Sequence, residues 1–430
     1  MCRMNAAIQV DATMSENQNR EENTFFITCP LGVEEILREE LAGAGFSFEN
    51  LTIRSSGVKV SAPLEKILRA IFHLRSADRV YLLLDSQSLE GQEDLYQKFF
   101  PFNWKQFSLD KKTFKIYTAF GPHSQKTFVN SLFCSQKLKD AIVDSYQQQG
   151  LKRPNVDTKY PQMEFFLYIE KEAIDYRGFL YLDLVGYPLH QRGYRLKQSI
   201  APIKENLAAA MILGFKEKLV SQSLPFVDLM CGQATFLIEA ALIKYSLPPT
   251  YLKILSYNHK NIRHWSFLHH SWFLENKQLS KEIRAYIDSL CLEIKQKLKN
   301  FTSQKRDVEF FGLDISSYAI KLAQENIQMA CLSSLISVSV GDALKYTPSK
   351  KDQGIVFCNP PYGNRLGQEE DLDSFYFDLG EHLKHSFKNY TAYILTSKAD
   401  LRKKISLRTK SRKQFFNGKI EVRLLEYELF

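Results

Sequence analysis

The run Gly354-Ile355-Val356-Phe357-Cys358 stops abruptly at Asn359-Pro360-Pro361-Tyr362. Those four residues suit one kind of chemistry. An exocyclic amine on a nucleobase is a poor nucleophile, because its lone pair is delocalised into the ring. Two acceptors, the Asn359 side-chain oxygen and the Pro360 carbonyl, would turn such an amine toward an electrophilic carbon. Proline fixes its own φ at about −65°, so the second acceptor is held still, and Pro361 stiffens the corner behind it. Tyr362 offers a ring on which a base taken out of its helix or loop would stack. No strong general base is needed. Orientation and near-attack geometry carry the rate, and the proton leaves to solvent afterwards.

Three other apolar runs end in groups suited to a ligand, and in open α/β sheets ligands sit beyond the carboxyl ends of the strands. "VDLMCGQATFLIEAA" has a tight loop of small residues, then a helix from about Phe236 with free N–H groups. Gly312-Leu313-Asp314 ends in a carboxylate placed for two ribose hydroxyls, or alternatively one that caps the helix in "DISSYAIKLAQEN". Gly341-Asp342 offers an acceptor for an adenine amino group, or alternatively a turn former. The first loop lacks both G-x-G-x-x-G and a Walker lysine. A ligand with adenosine but no phosphate fits better, which points to S-adenosylmethionine.

These groups need elements to hold them. "LPFVDLM", "VEFFGLDI", "ISVSVGDA", "GIVFCNPP" and "TAYILTS" are short apolar runs, mostly separated by helical stretches. That is the pattern of a parallel, doubly wound sheet. "KQFFNGK" and "IEVRLLEYELF", joined through Asn417-Gly418, predict a terminal antiparallel hairpin. The expected fold is thus α/β over residues 191–430, with a helical insertion at 243–307 that shows no sign of chemistry. Upstream, strands and helices alternate in two α+β units, 24–88 and 89–190. The second holds Lys126, Lys137, Lys139, Lys152 and Arg153 among aromatics; the bland alternative is a solvated helix face. Residues 1–23 read as a disordered leader, with Met4 or Met14 a candidate start.

The composition of the 430 residues, 44% hydrophobic and 24% charged, is that of globular material able to bury a core. A net charge of +9 leans toward a polyanionic partner. Seven scattered cysteines without a C-x-x-C pair argue against a disulfide framework or a structural zinc site. A reducing, cytoplasmic compartment fits, and no metal is expected. No apolar run approaches the ~18–20 residues of a membrane span.

The wider match "NPPYGNRLG", with "VDLMCGQATFLIEAA" upstream, resembles THUMP-domain class I RNA guanine-N2 methyltransferases of the RlmL/YpsC type, which act on 23S ribosomal RNA. "FFITCPLGVEEILREEL" and "RSADRVYLLL" resemble that family's ferredoxin-like part, and "SQKLKDAIVD" and "YLDLVGYPLHQRGYR" its THUMP module. "APIKENLAAAMI" resembles the segment leading into its Rossmann-like catalytic domain, and "FFNGKIEVRLLEYEL" its closing hairpin. The resemblance implies that Asp228, Gly232 and Thr235 line the methionine end of the cofactor and that Ala201 and Pro202 border it. It further implies that Asp314 holds the ribose, Asp342 the adenine, and Asn359 to Tyr362 the guanine amino group. The THUMP unit would grip the RNA.

Three departures from the family pattern carry expectations. The family loop reads Asp-Pro-Met-Cys-Gly-Ser-Gly-Thr, whereas this chain has Gln233 and Ala234 at its sixth and seventh positions. If position 234 needs φ > 0, a strain of about 1–2 kcal/mol and a methyl group against the cofactor are expected. The chain stops after the hairpin, so the further methyltransferase domain fused in some relatives is expected to be missing. The insertion is expected to make contacts of its own. From Ser397 to Lys419 there are nine Lys or Arg, among them Arg402, Lys403, Lys404, Arg408, Arg412 and Lys413, against one Asp. This dense patch suits phosphate neutralisation; the alternative is a solvated loop. The leading function is guanosine N2 methylation in structured RNA, ribosomal before transfer RNA. Rivals are a non-catalytic RNA-binding or assembly protein and, from the tetrapeptide alone, a DNA adenine-N6 methyltransferase.

Overall fold

The computed structural model describes residues 22–430 apart from 125–126, 129, 196, 198–202, 221, 223, 258–264, 304–307, 349–352, 361–368 and 398–400. The predicted leader therefore lies almost wholly outside the described residues, as do Lys126, Ala201, Pro202, Pro361 and Tyr362.

The N-terminal strands are β1 (Asn23–Thr28), β2 (Leu51–Arg54), β3 (Gly57–Ala62), β4 (Arg79–Leu89), β5 (Thr113–Phe120), β6 (Asn155–Val156), β7 (Met163–Glu172) and β8 (Asp175–Asp183). They form one continuous sheet in the order β2-β3-β1-β4-β8-β7-β5-β6. The two upstream units thus share a sheet, joined where β4 runs antiparallel to β8 with a bulge between Leu83 and Asp85. Alternation along β1 sends Phe25 and Ile27 into the main core, while Phe26 joins Tyr81, Phe166 and Tyr181 on the opposite face. The predicted helix of this half covers Ser131–Gln148, and Gly150 follows it with φ +68°.

The second sheet holds β9 (Phe226–Asp228), β10 (Phe310–Asp314), β11 (Ile336–Val340), β12 (Gly354–Cys358), β13 (Tyr390–Thr396), β14 (Ser411–Asn417) and β15 (Ile420–Glu428). Its order is β11-β10-β9-β12-β13-β15-β14. The first five in that order are mutually parallel, and β15 and β14 are antiparallel additions, as the sequence predicts. The chain moves outward from β9 to β11, then returns to lay β12 on the other side of β9. That reversal opens a crevice between β9 and β12 at their carboxyl ends.

Two expectations need correction. The hairpin turn is not centred on Asn417-Gly418: Asn417 still pairs with Ile420, so Gly418 and Lys419 form the turn, with Gly418 at φ +65°. Lys419 is not among the residues with positive φ, and a positive φ at the first turn position alone is the II′ pattern, whereas the I′ pattern that Asn-Gly suggests has it at both. The alternative of the basic tail as a merely solvated loop also does not hold, since it contains the helix Leu401–Lys404 and β14.

The insertion is a brace between the two halves. Ser266 and Phe267 donate backbone N–H groups to the carbonyls of Val185 (3.0 Å) and Leu184 (3.1 Å) just after β8. Thr250 Oγ1 donates to the Phe72 carbonyl (2.8 Å), and the Trp265 ring meets Phe72 edge-on at 4.9 Å. Its long helix, Lys277–Ser303, buries Ile283, Ile287, Leu290 and Ile294 in the shared core, the i, i+4, i+7, i+11 stripe of an amphipathic helix. A second junction lies at Gly32 (φ +85°), where a β-carbon would stand 2.9 Å from the Gln414 carbonyl oxygen of β14. Only glycine lets that N-terminal turn lie so close to the hairpin.

Candidate active site

Asp228 ends β9 and is fully buried. Its Oδ1 accepts the Met230 N–H (3.2 Å), while Oδ2 is buried and finds no hydrogen-bond partner among the described residues. Burial pushes its carboxyl up to about 8, and the nearby Asp314 adds to the rise, against the opposing Met230 bond. Burial likewise raises the flanking thiols of Cys231 and Cys358 well above their usual range. Across the crevice Asn359 follows β12, one strand over: Phe357 is in register with Asp228, and Leu229 N–H donates to the Phe357 carbonyl at 3.0 Å. Asn359 Oδ1 is also buried without a described partner. Two unsatisfied acceptors at one switch point are costly unless a ligand's donors meet them.

Gly232 supplies the cradle. Its φ is +51°, and a β-carbon there would meet no atom within 4 Å, so its backbone borders open space. Its N–H donates to Asp314 Oδ2 (3.0 Å), while Asp314 Oδ1 accepts from Ser316 N–H (2.9 Å). The alternative that Asp314 caps the next helix does not hold: the cap of Ser317–Met329 is Ser316, whose side chain accepts from Ala319 N–H. Asp342 does form a turn. Its Oδ1 accepts from Leu344 N–H (3.0 Å) and its Oδ2 pairs with Lys345 (3.3 Å); the Leu344 bond first, then Lys345, hold its carboxyl below the usual range. Two apolar residues escaped the sequence reading. Ile315 is 79% exposed right after Asp314, and Val340 is 56% exposed just before Gly341-Asp342. Exposed aliphatic surface beside two acceptors suits a flat purine; the signal was an isoleucine just past a strand's carboxyl end.

Ala234 does sit at φ +65°, so the anticipated strain is present. The anticipated clash is not: Ala234 is 0% exposed and its methyl belongs to the hydrophobic core, so it does not border the open space. Thr235 begins the helix Thr235–Lys244 and accepts a hydrogen bond from Arg195 Nη2 at 2.6 Å.

The basic residues divide. Lys137 pairs with Glu93 (2.9 Å), Lys139 with Asp140 (2.7 Å), and Lys404 with Asp373 (2.7 Å), which neutralises part of the expected patch. Lys152, Arg153, Lys403, Arg408, Arg412 and Lys413 are exposed, and Arg402 is half-buried. Among the described residues no cluster of His, Cys, Asp or Glu is placed to hold a metal, and no helix is long and apolar enough to cross a membrane.

Comparison with known proteins bears on this geometry. Residues 192–426, over half the chain, match the family model described as RMKL-like, methyltransferase domain. Residues 24–81 match the RlmL ferredoxin-like domain and residues 91–174 the THUMP domain. The ribosomal RNA large subunit methyltransferase K/L of Pseudomonas fluorescens is 32% identical over 408 residues, 93% of this chain and 50% of that protein. Its namesake from Desulfotalea psychrophila is 31% identical over 408 residues, 94% of this chain and 52% of its own length. The chain thus spans about half the length of these relatives. Among solved structures, SMU.472 complexed with SAH superposes with a TM-score of 0.74 at 24% identity, covering 96% of this chain and 99% of that one. A predicted N6-adenine-specific DNA methylase from Listeria monocytogenes gives 0.73 at 25% identity, covering 95% and 97%.

Proposed function

The chain belongs to the RMKL-like methyltransferase-domain family, and from that premise we propose that it transfers a methyl group from S-adenosylmethionine to the exocyclic N2 of a guanosine in 23S ribosomal RNA. The observation that carries the reading is the pair of buried acceptors, Asp228 Oδ2 and Asn359 Oδ1, on adjacent strands at the switch point. The residues fit the cofactor: Gly232 leaves room for it, Asp314 and Asp342 offer acceptors to its ribose and adenine, and Asp228 offers one to its ammonium. When bound, the cofactor supplies an electrophilic methyl group. The chain's part is to bind and orient. Asn359 Oδ1 and the Pro360 carbonyl accept the two amine protons, aiming the nitrogen's lone pair and excluding water from the approach. Pro361 and Tyr362 complete the corner in this reading. The ferredoxin-like and THUMP domain matches, with the exposed cations Lys152, Arg153, Arg412 and Lys413, support an RNA substrate over DNA. The names of the relatives favour ribosomal RNA over transfer RNA. An RNA substrate also goes with a cytoplasmic location.

The test is transfer of tritiated methyl from the cofactor to RNA that lacks the modification. Label on guanosine N2 of large-subunit RNA is expected; label on adenine N6, on DNA or on transfer RNA would refute the substrate. Asn359→Ala should lower kcat by at least about a hundredfold, the scale of losing one preorganised polar contact, with RNA affinity unchanged. A non-catalytic binder would take up no label and bind no S-adenosylhomocysteine.

A further inference from the structure

The methionyl end of the proposed cofactor carries a carboxylate, for which the reading above names no partner. We propose that Arg195 is a cofactor-binding residue that takes this carboxylate, together with Thr235 and the first turn of its helix. The proposal rests on the S-adenosylmethionine reading.

Arg195 lies on the segment joining the two halves, with its side chain 10% exposed. Its Nη2 donates to Thr235 Oγ1 (2.6 Å) and to the Ile203 carbonyl (3.0 Å), which pins the guanidinium against the amino end of the helix Thr235–Lys244. Its Nε is buried without a hydrogen-bond partner among the described residues, standing 3.4 Å from Glu205 Oε1. Because the Thr235 hydroxyl accepts from Arg195, its own proton is free to donate. The helix cap, Ala234, has no side chain with which to satisfy the first-turn N–H groups. Beside it Gln233 is 8% exposed, and neither atom of its amide has a described partner. The helix amino terminus, with Arg195 bonded to Thr235 in its first turn, directly follows the loop at Gly232, which favours an anion there. Asp228, on the opposite arm of the same loop, gives up its proton beside a cation and so favours one there. A zwitterionic amino-acid group matches both. Glu205 is the countercharge already present, at Nε, and burial raises its carboxyl.

The experiment compares two ligands differing only in that carboxylate: S-adenosylmethionine and its decarboxylated analogue, titrated calorimetrically into the full chain. Arg195→Gln should weaken S-adenosylmethionine about 30-fold, the loss of one charge-assisted pair, while the decarboxylated ligand changes less than about twofold. Arg195→Lys keeps a cation beside Glu205 and should fall between, which guards against a variant that merely misfolds. Equal weakening of both ligands, or no weakening of either, overturns the assignment. Wild-type protein that binds neither ligand overturns the cofactor reading itself.

Discussion

Gly232 and Ala234 make opposite claims on the same loop, and substituting each tests where the cofactor runs. Both have left-handed backbones, at φ +51° and +65°. In Gly232→Ala the new methyl meets no protein atom within 4 Å, so the folded state loses only the left-handed strain, about 1–2 kcal/mol. A stiffer unfolded chain returns about 0.4–1 kcal/mol, leaving a net loss near 0.5–1 kcal/mol. In the proposed function the space that the methyl enters is the cofactor's, so S-adenosylhomocysteine should bind at least about tenfold more weakly, about 1.4 kcal/mol. Ala234→Gly relieves the same strain but forfeits a buried methyl, about 0.8 kcal/mol, and the same entropy term. Its terms cancel to within about 1 kcal/mol, and affinity should change by less than about twofold. Urea melts of the free protein and calorimetric titration read both quantities. If Gly232→Ala binds S-adenosylhomocysteine as wild type while Ala234→Gly binds it more tightly, the cofactor runs against residue 234 and the cradle is misplaced.

Burial of Asp228 raises its carboxyl to about 8 from the usual 3.8, so between those values the folded state holds a proton that the unfolded state has lost. Wild-type stability, measured by urea midpoints against Asp228→Asn, should therefore fall as pH rises from about 5 to 8; a flat difference would refute a buried neutral carboxyl. His270 has the opposite sign. It is fully buried with neither ring nitrogen bonded among the described residues, and burial, then Lys112 and His269, pushes it down to about 3 from 6.5. Below 6.5 the unfolded state gains a proton that the folded state refuses, so stability falls with acid, and His270→Leu should remove that slope between pH 7 and 5. Changing Arg412 and Lys413 together to Gln should flatten the dependence of log RNA affinity on log salt by about 1.4–1.8 if both touch phosphate. An unchanged slope would confine them to guarding the exposed edge strand β14.

Much of the scaffold was legible because burial leaves a continuous mark. Strands covered on both faces, such as Ile355 to Cys358 and Tyr390 to Thr396, read as unbroken apolar runs, and each is buried throughout. The strand-end groups at Asp228, Asp314, Asp342 and Asn359 were found by looking past those runs. Contacts between segments distant in sequence were not legible. Nothing local to "RHWSFLHHSWF" says that its backbone will pair with Leu184 and Val185. Nor does a lysine's type reveal whether an acid waits beside it, as Glu93 does for Lys137. The methyl of Ala234 was misjudged for a related reason: backbone conformation follows from the turn, but the side on which the Cβ emerges depends on what packs there.

The buried charges at the junction explain why the two halves must be rigidly joined. The helix Thr235–Lys244 is held by the segment that joins the halves and, at its far end, by the N-terminal half. Glu239 meets Arg192 (3.4 Å) and accepts from the Tyr194 hydroxyl (3.0 Å), with Arg192 and Glu239 fully buried. Near its end, Arg75 donates to the carbonyls of Leu247 (2.6 Å) and Leu242 (3.3 Å), while Arg192 donates to the Arg75 carbonyl (2.6 Å). Such a network is a poor way to gain stability, since desolvating the ions offsets most of their attraction, and apolar residues of equal volume would often serve better. It does specify one geometry, because any slip between the halves strands a charge. Methyl transfer needs that precision: an error of about 1 Å between donor and acceptor costs on the order of a hundredfold in rate. In the proposed function, an RNA held by the N-terminal sheet and a cofactor at that helix's first turn share one frame only if the helix cannot slide.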